Sequence, residues 1–119
     1  MELKEGISYD KNKNLWIHND NKCIGYIKFS VSKYRFDINQ IYIYPDYRGH
    51  GFGKKSIEMM ISNYDNVNEI VLLAYGEMGY EMNLYKYYES IGFKKFGRPT
   101  VVSIENNDYM RQYMKYSKG

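Results

Sequence analysis

The chain holds a single cysteine, Cys23, among 119 residues. An internal disulfide is therefore excluded, and so is a thiolate metal cluster within one chain. The two histidines, His18 and His50, lie far apart and give no metal-ligand spacing with that cysteine, so no metal is expected. No window approaches the roughly 18 apolar residues of a membrane span, and the charged start Met1-Glu2-Leu3-Lys4-Glu5 leads into no apolar stretch. These absences point to a reducing compartment, with a cytoplasmic location and no membrane partner as the expectation. Net charge is scarce as well: 17 Lys+Arg against 14 Asp+Glu leave +3, which suits an anionic ligand. It falls short of the dense basic surface that nucleic acid demands. A single-strand binder using Lys54, Lys55, Lys94, Lys95 and Arg98 with interleaved aromatics is a competing class that the small charge disfavours.

What is present is enough to fold. The apolar share of 44% and the aromatic share of 18% allow burial to offset chain entropy, and the length suits one domain with one core. Fifteen tyrosines stand out, but as a group they carry no functional weight.

Leu15-Trp16-Ile17-His18 and the run from Cys23 to Phe29 flank the turn formers Asn19-Asp20-Asn21, which predicts a hairpin. A further strand is expected through Phe36 and Ile38 to Ile41-Tyr42-Ile43-Tyr44, stopped by Pro45. Ile57, Met60, Ile61 and Tyr64 then recur at helical spacing, and Glu69 to Tyr75 reads as a buried strand. Strand, helix and strand make a βαβ unit with two parallel strands. A second helical stripe runs through Leu84, Tyr87, Tyr88 and Ile91 and stops at Gly92, with short strands expected near residues 100–105 and 109–114. The class is α/β, of the mixed α+β kind: a mostly antiparallel sheet around one central βαβ unit.

Between the strand and the first helix lies Arg48-Gly49-His50-Gly51-Phe52-Gly53-Lys54-Lys55. Three glycines let the backbone approach a ligand, and N–H groups at the helix start point at an anion. The Walker spacing fails, because only three residues separate Gly49 from Gly53-Lys54 where four are needed. The dinucleotide fingerprint fails too, since Lys54 stands where the last glycine should be.

The spacing that fits is Arg/Gln-x-x-Gly-x-Gly/Ala, met by Arg48, Gly51 and Gly53. In this the chain resembles the GNAT acetyltransferase superfamily. A second motif of that superfamily, an aromatic helix ending in Tyr-x-x-x-Gly-Phe, is similar to Tyr88-Glu89-Ser90-Ile91-Gly92-Phe93. The resemblance runs from about Cys23 to Gly97 and implies an N-acetyltransferase that uses acetyl-CoA and an amine acceptor, small molecule or protein, with homodimers frequent among relatives. It implies that Gly49, His50, Gly51, Phe52, Gly53 and Lys54 hold the pyrophosphate beside Arg48. The backbone of Ile41, Tyr42 and Ile43 would pair with the pantetheine arm, next to a splay between parallel strands.

By the same resemblance Tyr88 is the general acid at the leaving thiolate, and Asp37 or Glu77 is the candidate base. Asn83 is a candidate pantetheine contact, because Glu81 stands where relatives carry an asparagine. His50 is variable filler within the loop, His18 is structural, and Cys23 is a small hydrophobe rather than a nucleophile. The chain departs from relatives in showing no helical period before Cys23, which would leave the acceptor side open. A coenzyme A binder without turnover is the remaining alternative, and Tyr88 argues against it.

Overall fold

The computed structural model describes residues 1–7, 13–32 and 34–118. The chain forms two compact units, Met1–Val67 and Asn68–Gly119.

In the first unit four strands, β1 (Glu2–Ile7), β2 (Lys13–Asn19), β3 (Lys22–Ser32) and β4 (Arg35–Ile43), pair antiparallel in chain order. The β2–β3 hairpin turns through Asp20 and Asn21, both at positive φ (51° and 64°). That is the two-residue turn whose twist matches the strands, and Asp and Asn tolerate it. Strand β1 was not expected: Glu-Leu-Lys-Glu-Gly-Ile offers no apolar run, and its order comes from pairing Leu3 with Ile17 and Glu5 with Leu15. Residues 8–12, between β1 and β2, lie outside the described residues.

Leu15, Ile17, Ile27, Phe29, Phe36 and Ile38 are buried, each contributing about 1.5–3 kcal/mol. Helix α1 (Phe52–Asn63) buries Ile57 and Met60 completely, as its stripe predicts. Tyr64 lies one residue beyond its end. There it packs edge-on to Phe36, with centroids 4.9 Å apart, and donates a 2.5 Å hydrogen bond to the Glu5 carboxylate. Strand β4 carries an irregularity: Lys28 faces Gln40 while Phe29 faces Ile38, leaving Asn39 as an extra residue.

The second unit is a three-stranded antiparallel sheet in which β7 (Asn107–Ser117) lies between β5 (Glu69–Glu77) and β6 (Lys94–Ile104). Both C-terminal strands begin earlier or end later than expected, because ladder pairing carries them past the apolar stretch that announces them. Helix α2 (Glu81–Ile91) corrects the expected stripe: Tyr85 is its buried residue, while Tyr87 is 38% exposed. Tyr85 is drawn in because its hydroxyl donates to the Met110 carbonyl at 3.2 Å. Strand β4, helix α1 and strand β5 follow one another in the expected order, giving a mixed α/β chain with seven strands and two helices among the described residues.

Candidate active site

Pro45–Tyr47 forms one 3-10 turn, closed by N–H bonds from Tyr47 to the Tyr44 carbonyl and from Arg48 to the Pro45 carbonyl. It reverses the chain after β4 and delivers Gly49 and Gly51 to the start of α1. Both glycines sit at positive φ (83° and 76°), a conformation costly for other residues, and Gly51 is the N-cap of α1. No atom lies within 4 Å of where a Cβ on either would stand, so their backbone faces open space.

The first intrahelical bond of α1 runs from the Lys55 N–H to the Gly51 carbonyl. The preceding N–H groups, those of Phe52, Gly53 and Lys54, therefore have no partner within the helix. No side chain caps them and no acidic residue stands in the first turn. Together with the helix dipole they make a seat for an anion such as a pyrophosphate. Ser56, fully buried, fixes that turn by donating from Oγ to the Gly53 carbonyl at 2.8 Å. Sequence reading passed over Ser56, although its spacing of three from Gly53 is a signal.

Arg48 braces the loop from the strand side. Its Nε donates to the Ile43 carbonyl at 2.8 Å, and the guanidinium lies 5.1 Å from the centroid of Tyr42. Part of its expected role toward the phosphate is thus diverted to holding the β4 terminus. Lys54 is half-buried and Lys55 exposed beside the loop, while His50 is exposed with its ring 5.8 Å from that of Phe52. Ile41, Tyr42 and Ile43 are half-buried opposite Ile27, Tyr26 and Gly25. At Gly25 a Cβ would stand 2.2 Å from the Tyr42 carbonyl oxygen, so glycine alone permits that approach. Asp37, further back on β4, is held by Arg35 at 3.2 Å. The groove of about 490 Å³ lined by Glu5, Phe29, Phe36, Tyr64 and Val67 is at the far end of α1, a helix length of about 18 Å from Gly51.

In the second unit Tyr88 is half-buried on α2, its ring edge-on to Phe93 (5.9 Å) and to Tyr87 (5.2 Å). Its hydroxyl has no hydrogen-bond partner among the described residues. Burial, and secondarily the Tyr87 phenol, push its pKa up to about 12. The Gly-Phe that follows has a physical reason. Gly92, at φ 119°, is the left-handed C-cap of α2, and a Cβ there would stand 2.9 Å from the Tyr116 ring. Phe93 is buried behind it, 1% exposed, with its N–H on the Tyr88 carbonyl. Glu77 is exposed at the end of β5, and Asn83 is exposed in the first turn of α2. Glu81 is occupied, accepting from the Gly79 N–H at 2.7 Å.

Residues 11–95, well over half of the chain, match the family described as Acetyltransferase (GNAT) domain. The chain belongs to the GNAT acetyltransferase family. Acetyl-CoA is the cosubstrate of that family, and the open N-terminus of α1 fits its anionic pyrophosphate. Solved structures share the GNAT fold with this chain. A GNAT family acetyltransferase from Elizabethkingia anophelis with acetyl-CoA bound superposes at TM-score 0.71 and 12% identity, covering 90% of this chain and 76% of that one. A chimera of spermidine N-acetyltransferase from Vibrio cholerae and hSSAT gives 0.74 at 18% identity, covering 89% and 68%. The ribosomal-protein-alanine N-acetyltransferase from Brucella melitensis gives 0.68 at 16% identity, covering 92% and 70%. No curated protein matches the chain in sequence. No helix among the described residues is long and apolar enough to cross a membrane.

Proposed function

We propose that this GNAT chain is an N-acetyltransferase that moves the acetyl group of acetyl-CoA to a primary amine by direct attack. The observation that carries this reading is the N-terminus of α1, where Gly51 caps the helix in the left-handed conformation and the first-turn N–H groups have neither a capping side chain nor an acidic neighbour. The loop 49–54 takes the pyrophosphate there, and the β4 backbone at Ile41, Tyr42 and Ile43 takes the pantetheine amides. The single N-acetyltransferase domain of this reading comprises both units.

The amine nitrogen attacks the thioester carbon, the tetrahedral intermediate loses the thiolate, and the ammonium proton passes to a base. Tyr88 serves the leaving sulfur. With its pKa near 12 the phenol keeps its proton at neutral pH and donates a hydrogen bond as charge builds on sulfur. For the base, Glu77 ranks ahead of Asp37, because the Asp37 carboxylate is already engaged by Arg35. Asn83 is proposed as a pantetheine contact, since Glu81 is committed to the Gly79 turn. The acceptor class is a primary amine, small or peptidyl, of the kind that the spermidine and ribosomal-protein-alanine N-acetyltransferases are named for.

Calorimetric titration with acetyl-CoA, beside free adenine nucleotides, tests the reading. Binding is expected, with Gly51→Glu weakening it at least about 100-fold by setting a carboxylate against the pyrophosphate. A folded wild-type chain that does not bind acetyl-CoA would overturn the proposal.

A further inference from the structure

The groove at the far end of α1 lies wholly within the first unit, a helix length from the glycine loop. Its volume of about 490 Å³ falls in the range of small-molecule sites, which are concave, mostly apolar and carry a few placed polar groups.

Its apolar wall follows from strand register. Lys13 of β2 faces Phe29 of β3, and Val31 of β3 faces Phe36 of β4, so these side chains share one face of the sheet, the face on which Tyr64 packs. Phe29, Phe36 and Tyr64 form a triangle of rings. The centroid of Phe36 lies 4.9 Å from each of the other two, which are 6.5 Å apart. The hydrogen bond from the Tyr64 hydroxyl to the Glu5 carboxylate ties the third ring to β1. Val31, 46% exposed, extends the wall outward.

Charge is confined to the rim, and both signs are present. Lys13 stands on the strand side, and Asp65 stands just past the end of α1. The two do not pair with each other, and neither forms an ion pair among the described residues. No basic residue stands in the last turn of α1, so the negative end of its dipole is left uncompensated there and acts in the same sense as Asp65.

This arrangement discriminates among ligands. A simple anion would meet Asp65 and the helix end, and a simple cation would meet Lys13. A zwitterion satisfies both sides through charge-assisted hydrogen bonds, and an aromatic body gains edge contacts with the three rings. We propose that the groove binds a free amino acid with an aromatic side chain. Asp65 and the C-terminus of α1 hold its α-ammonium, Lys13 holds its α-carboxylate, and the side chain lies against Phe29, Phe36 and Tyr64. A residue within a peptide lacks at least one of the two charges, so the free amino acid is the species selected. The site is separate from acetyl transfer and rests on no step of it.

Calorimetric titration of the full chain with L-phenylalanine, without acetyl-CoA, tests this. One-to-one binding is expected, at least about fivefold tighter than that of phenethylamine, which lacks the carboxylate, or of hydrocinnamate, which lacks the ammonium. Lys13→Gln should bring phenylalanine down to the affinity of phenethylamine and leave phenethylamine itself unchanged. Asp65→Asn should weaken both amines. Both variants should keep the circular-dichroism spectrum and acetyl-CoA binding of the wild type, and Gly51→Glu should keep phenylalanine binding. A folded wild type that does not bind phenylalanine, or that binds phenethylamine or hydrocinnamate equally well, overturns the proposal. So does phenylalanine binding that survives Lys13→Gln and Asp65→Asn, or that a folded Gly51→Glu variant loses, since the ligand would then lie elsewhere.

Discussion

Tyr88 holds its proton well into the alkaline range because its phenol is buried and, secondarily, because the Tyr87 phenol lies beside it. Removing that hydroxyl keeps the packing and deletes one donor. Tyr88→Phe is therefore expected to lower kcat about 10- to 100-fold while the KM for acetyl-CoA stays within about twofold, read as thiol release. An unchanged kcat would remove the acid role. The wild-type pH profile should show no loss assignable to Tyr88 below about pH 11, since the phenol remains protonated there. In the same assay Glu77→Gln should slow turnover more than Asp37→Asn, and the reverse order would move the base to β4.

Two glycines decide how elements meet. At Gly92 the left-handed cap lets α2 end and Phe93 turn back into the core, and a Cβ would strike the Tyr116 ring. Gly92→Ala should cost about 1–3 kcal/mol, from the strained backbone and the displaced ring, measured by denaturant unfolding. A loss below the error of that measurement would mean the cap is not what orients Phe93 and Tyr88. Gly76 permits a similar close approach. A Cβ there would stand 2.5 Å from the Glu81 Cβ, so β5 and the start of α2 touch only because that side chain is missing. The helices and strands themselves were mostly readable. Asn19-Asp20-Asn21 announced the hairpin, and the spacing of Ile57 and Met60 announced α1. Strand β1 was not readable, since its charged sequence becomes a strand only through its partner, and Tyr85 was missed because its burial depends on a carbonyl supplied by β7.

Across the whole molecule, several phenols share one dependence on pH. Tyr88, Tyr85 and Tyr64 all have raised pKa values, chiefly through burial, with the Tyr64 hydroxyl also bonded to the Glu5 carboxylate. The folded state therefore retains protons that the unfolded chain releases near pH 10. Unfolding free energy should be level below that value and fall as pH rises toward the folded values. Denaturant midpoints at pH 8 and pH 11 should reveal a loss of about 1–3 kcal/mol, smaller in Tyr88→Phe. Equal losses in both proteins would show that Tyr88 does not contribute.

By itself the sequence determined the glycine loop before α1, the Tyr-x-x-x-Gly-Phe helix end and the family, because each is a local pattern whose spacing reports a backbone requirement. Left-handed glycines and an N-terminal helix turn are needed wherever such a loop sits. Only the tertiary structure decided which groups remain available for chemistry. It committed Glu81 to the Gly79 turn, engaged Asp37 with Arg35, and turned Arg48 onto Ile43 and Tyr42. These outcomes depend on distances between residues that the chain order does not record.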